Sequence, residues 1–167
     1  MAERAPSYWD AVRLVMDKIS IDSADEFSAS FAKVPRQVGI VYAAYFCLEE
    51  VRNGGFFQFF YNSTGVLGPE ALEGFQAIGM AGVASAASSA LDVFGSQYPR
   101  DREARYGAIL SVLSLSTGSN FHVALSKGNE LFRVQQEEIY RLSRTENGGF
   151  DDAATKYLAG LGLLGSQ

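Results

Sequence analysis

Five aromatic side chains fill six consecutive positions in this chain: Phe56, Phe57, Phe59, Phe60 and Tyr61. They follow a double glycine, Gly54-Gly55, and precede a polar stretch, Asn62-Ser63-Thr64-Gly65. Rings this dense must be buried, so the segment has to lie inside the fold. Glycine lacks a Cβ and reaches positive φ at little cost, so a preceding helix can stop at Gly54-Gly55 and turn sharply. Beyond the break, Phe56/Phe60 and Phe57/Tyr61 stand four residues apart, as ring pairs on a helix do. The segment therefore predicts a short buried helix after a break.

Gln58 and Asn62 share the same four-residue spacing and form a polar line among the rings. Two readings are open. The two amides can satisfy main-chain groups freed by the break, since buried amides need partners. Alternatively, Asn53, Gln58, Tyr61 and Asn62 line a pocket that binds a ligand.

The rest of the chain reads as helices. Ser7 and Asp10 resemble a capping box, and Trp9, Val12, Val15, Met16 and Ile19 continue at helical spacing over 8–19. Ser23 with Glu26 opens a second helix carrying Phe27 and Phe31, which stops before Pro35. Pro35 suits the first turn of a third helix, whose stripe Val38, Val41, Tyr45 and Leu48 is widened by Ile40, Tyr42 and Phe46. A stripe that wide predicts a central helix covered on several sides. Pro69 begins a fourth helix ending near Gly79, and 80–94, rich in Ala and Ser, a fifth capped by Gly95. Residues 99–115 predict a helix with Tyr106, Ile109, Leu110 and Leu113 inward. A short helical piece at 121–126 follows, then a helix capped by Asn129. Asn147-Gly148-Gly149-Phe150 repeats Asn53-Gly54-Gly55-Phe56 in a different context, which reads as a reused turn. A last helix follows it, fraying over 162–167. No convincing strand alternation occurs. The class is all-α, a single-domain bundle of about eight or nine helices, with N-terminal helices over 1–34 packed on the core.

Composition narrows the function. The net charge of −5 argues against direct nucleic-acid binding, which needs clustered Lys and Arg. A single Cys47 and a single His122 cannot build a Cys/His zinc site. No carboxylate–histidine metal spacing, phosphate loop or nucleophile motif appears, so no catalytic residue, metal or cofactor is expected and the chain reads as non-enzymatic. His122, between Phe121 and Val123, reads as an ordinary core or surface histidine. Glu3, Arg4 and Asp10 interrupt any apolar leader, and no run reaches the ~18 apolar residues of a spanning helix. A cytoplasmic protein without membrane contact is the expectation. From 49 to 99 the acids Glu49, Glu50, Glu70, Glu73 and Asp92 face one base, Arg52, which marks a candidate acidic face.

The stretch Val51-Arg52-Asn53-Gly54-Gly55-Phe56-Phe57-Gln58-Phe59-Phe60-Tyr61-Asn62-Ser63-Thr64-Gly65 resembles the signature of a bacterial family of DNA-mimic-like proteins, most with no assigned activity. Val51, Asn53, Gly54, Gly55, Phe56, Gln58, Phe59, Phe60, Asn62, Ser63 and Gly65 match that pattern. Arg52 replaces a usual Asn, and Thr64 a frequent Ser. The resemblance marks 35–162 as a family-like helical domain. It implies a protein partner, specifically a DNA-binding protein occupied by carboxylates standing in for DNA phosphates, and a homodimer. Two alternatives stand beside it: a small ligand held in the aromatic and amide groove at 56–62, or a toxin-neutralising role. Duplex DNA carries one charge per ~1.7 Å, so a mimic must segregate its acids. The 19 acids here are mixed with 14 bases.

Overall fold

The computed structural model describes residues 5–164; Glu3, Arg4 and the end of the fraying expected over 162–167 lie outside them. Nine α-helices and three short 3-10 turns follow one another, with no strand among the described residues. The helices are α1 (Tyr8–Met16), α2 (Ala24–Phe31), α3 (Arg36–Tyr61), α4 (Gly68–Ala77), α5 (Ala81–Leu91), α6 (Arg102–Val112), α7 (Phe121–Leu131), α8 (Arg133–Leu142) and α9 (Phe150–Gly160).

The long α3 is the axis of the molecule. Val38 through Ala44 are buried without interruption, so this stretch has no solvent face. A helix apolar all round must be enclosed. α4 folds back along it, α1, α6, α7 and α8 cover other sides, and α1 also meets α9. The buried side chains form one continuous core.

The caps read from sequence fall where expected at three starts. The Ser7 N–H donates to Asp10 Oδ2 at 2.8 Å, the Glu26 N–H to Ser23 Oγ at 3.2 Å, and Pro69 occupies the first turn of α4. Three expectations need correction. α1 ends at Met16, although Ile19 is still buried. α6 starts at Arg102, because Asp101 caps it by accepting the Ala104 N–H at 2.8 Å. Residues 121–131 form one full helix, so Asn129 lies within α7 and caps nothing; α8 begins after the bend at Phe132. The apolar spacing there is ambiguous because α7 turns small residues, Ala124 and Gly128, inward.

The expectation that Asn-Gly-Gly-Phe is a reused turn needs correction: only the second glycine repeats, since Asn147 and Gly148 have positive φ (51° and 87°) whereas Asn53 and Gly54 stay helical. Gly55 (φ 81°, ψ 177°) and Gly149 (φ 90°, ψ 165°) adopt one conformation, and each launches a helix whose first Phe is buried. This region of φ/ψ is open essentially to glycine alone. Beside the second copy, Glu146 accepts the Gly82 and Val83 N–H groups at 2.7 and 2.9 Å, and the Asn147 side chain donates to Ile78 O. The turn thereby caps α5 and pins its junction with α4.

Burial of tyrosine sets an alkaline limit. Burial pushes the Tyr42 phenol up to about 12 and raises Tyr8 and Tyr98 as well; Asp151 adds to the effect at Tyr8. A raised folded-state pKa means the unfolded chain ionises first, so this stability is complete below about pH 10 and declines above it. Denaturant midpoints should hold steady through neutral pH and fall steeply between about pH 10 and 12. A midpoint unchanged to about pH 12 would contradict the burial of these rings.

Candidate functional site

The aromatic segment forms the second limb of α3, beyond a kink at Gly55. The break is narrower than the sequence suggests: Gly54 keeps helical dihedrals, and Gly55 alone departs from them. The main-chain group released there is the Phe56 N–H, which donates to Gln136 Oε1 on α8 at 3.1 Å. Phe56, Phe57, Phe59 and Phe60 are all buried. The expected ring pairs are stacked, Phe56/Phe60 at 5.7 Å and Phe57/Tyr61 at 6.2 Å between centroids. Phe57 lies against Gly128, where any side chain would overlap its ring.

Gln58 and Asn62 serve a partner that the sequence reading did not assign to them. Both amides donate to Glu50 Oε2, at 2.9 and 3.0 Å, and the Thr64 hydroxyl donates to Glu50 Oε1 at 2.9 Å. The expectation that they satisfy main-chain groups freed at Gly54-Gly55 is therefore corrected. A carboxylate from the first limb of α3 is held by three neutral donors from the second limb and the turn after it. Such bonds to a charged acceptor are among the stronger ones. Replacing Gln58 with Ala should cost about 1–2 kcal/mol, read as a lower melting temperature. An unchanged melting curve would mean that this bond contributes nothing to the fold.

The end of the segment is held by three arginines near the start of α6. Arg105 is 1% exposed, and it donates from Nε to Phe60 O and from Nη2 to Asn62 O, both at 3.0 Å. Its Nη1 reaches the Pro99 and Arg100 carbonyls. Arg102 Nε donates to Tyr61 O at 2.6 Å, and its guanidinium lies over the Tyr61 ring at 4.5 Å. Arg100 reaches Val66 O and makes a two-pronged pair with Glu70. The last carbonyls of a helix lack partners and carry partial negative charge, so cations are favoured there. Burial lowers the Arg105 pKa, yet a guanidinium stays protonated throughout the accessible range. From sequence, 100–105 is only a mixed, slightly basic stretch; the Arg spacing alone gives no sign that one of the three is buried.

The candidate acidic residues are mostly spent inside the molecule. Glu49 pairs with Arg52, Glu70 with Arg100 and Glu73 with Arg36. Glu50 is held in the amide frame, and Asp92 is exposed in the 3-10 turn Asp92–Phe94. Carboxylates without an ion pair lie elsewhere. Asp17, Asp22, Asp25 and Glu26 cluster between α1 and the first turn of α2, and Asp101 and Glu103 flank the start of α6. One member of each group, Asp22 and Asp101, lines the same concavity of about 110 Å³, together with Arg100, Arg102 and Arg105. Asn53 and Ser63 are exposed, and Asn62 and Ser63 edge a second, open concavity of about 330 Å³ with Glu50, Thr64, Arg102 and Ile21. His122 is exposed beside Phe121, while Cys47 is sealed and its thiol pushed up by burial. Among the described residues no group of three His, Cys, Asp or Glu is placed to hold a metal, and no helix is long and apolar enough to cross a membrane.

Residues 32–158, the helices that carry this signature and its supports, match the family model described as DMP19-like protein. The chain belongs to the DMP19-like family. The match takes in α3 to α8 and most of α9. No curated protein and no solved structure matches the chain.

Proposed function

We propose that this chain is a non-enzymatic, protein-binding member of the family that occupies a DNA-binding protein by offering carboxylates where DNA offers phosphates. The observation carrying this reading is the juxtaposition of unpaired carboxylates at the starts of α2 and α6, on a chain of net charge −5 within a family named for DNA mimicry. Paired acids such as Glu70 and Glu73 present little net field to a partner, whereas Asp25, Glu26 and Glu103 are exposed and free of ion pairs. Complementary charge of this kind steers a basic partner and speeds its association. A homodimer would pool two such edges.

The test is capture from lysate with tagged protein, with and without competing duplex DNA. The reading expects a DNA-binding protein that duplex DNA displaces, and loss of capture in the triple variant Asp25→Lys, Glu26→Lys, Glu103→Lys. A partner indifferent to DNA, or captured equally by the variant, would overturn it. Light scattering reports whether the wild-type chain pairs.

A further inference from the structure

Glu50 and Arg102 carry opposite charges and line one open concavity of about 330 Å³, yet they form no ion pair. Each is fixed by something else. Gln58, Asn62 and Thr64 hold the Glu50 carboxylate, and the Tyr61 carbonyl and ring hold Arg102. An anion and a cation that line one concavity and are each held by other partners offer the two ends that a molecule with the reverse charges needs. We propose that this concavity binds a small zwitterion with a primary ammonium and a carboxylate, an α-amino acid with an aliphatic side chain.

The chemistry fits each end. Glu50 Oε1 accepts one bond, from Thr64, and keeps acceptor capacity for an ammonium. Arg102 uses Nε on Tyr61 O, which leaves both terminal nitrogens as a fork for a carboxylate. On the Arg102 side the smaller concavity adjoins, sharing Ile21, Ser63 and Arg102 with the first. Of its other charges, Arg100 pairs with Glu70, Arg105 is held by main-chain carbonyls, and Asp101 and Asp22, without ion pairs, accept from the Ala104 N–H and the Ser20 hydroxyl. Ile21, which walls both spaces, is the apolar surface for the side chain. The inference is independent of the DNA-binding partner, so either can fail alone.

Titrating the full chain with L-leucine while following backbone amide chemical shifts tests it. The amides of Asn62, Ser63 and Thr64 should shift with a Kd on the order of 1 mM, the range open to so small a ligand. N-acetyl-L-leucine lacks the ammonium and L-leucinamide the carboxylate. Each should bind at least about tenfold more weakly, as should L-leucine to Arg102→Gln. Equal shifts with the capped compounds, or none with about 10 mM L-leucine, would overturn the proposal.

Discussion

Arg105→Met should lower the melting temperature by roughly 10 °C, the largest loss expected from any single side chain outside the aromatic core. Methionine keeps much of the volume and removes every donor. Four main-chain carbonyls, those of Phe60, Asn62, Pro99 and Arg100, then lose their partner. A buried acceptor left unsatisfied costs about 1–3 kcal/mol, and some of these oxygens could recover water, so a total of about 3–5 kcal/mol is expected. Arg105→Lys should recover only part of this loss, since an ammonium cannot present a planar fork to carbonyls on two segments. A full recovery with lysine would show that charge alone, and not the shape of the guanidinium, holds the end of α3.

The second large effect concerns Gly55. Gly55→Ala places a Cβ where φ is 81° and ψ 177°, at a strain of about 1–3 kcal/mol. The new methyl would also overlap Gln136 Oε1 and lie 3.1 Å from Asn129 Oδ1. Relief of that overlap pulls Gln136 from the Phe56 N–H, so a total of about 3–4 kcal/mol is expected. Gly149→Ala is the matched control. Its backbone is alike, but the nearest atom to a Cβ there is Arg144 O at 3.1 Å. It should cost about 2 kcal/mol, mainly strain. Equal melting temperatures for the two variants would show that the amides under Gly55 add nothing beyond backbone strain.

These two positions also show what a sequence can disclose. Local chemistry was legible: caps at Ser7 and Ser23, the first-turn proline of α4, the ring pairs of the aromatic segment and the glycine break before Phe56. Each depends on residues a few positions apart. The all-α class and a central third helix follow from periodicity and from a stripe too wide for one face. What stayed hidden depends on contacts distant in sequence. Gln58 and Asn62 were recognisable as amides needing partners, but the partner, Glu50, lies eight and twelve residues back, on the other side of the kink. Arg105 was invisible because a buried guanidinium satisfied by carbonyls leaves no matching acid in the sequence. The pairing of the acids was hidden for a related reason: those at 49–73 look unopposed along the chain, yet Arg36 and Arg100 fold onto Glu73 and Glu70.

The signature therefore records an architecture: two limbs of one helix locked by a carboxylate, with the far end capped by arginines. Thermal unfolding of Glu50→Gln tests this most directly. The substitution preserves shape and removes the charged acceptor shared by Gln58, Asn62 and Thr64. A loss of about 2 kcal/mol is expected, seen as a melting temperature lower by roughly 4–8 °C. A melting temperature equal to wild type would mean that the carboxylate does not lock the limbs, and the account of the signature as a structural unit would fail.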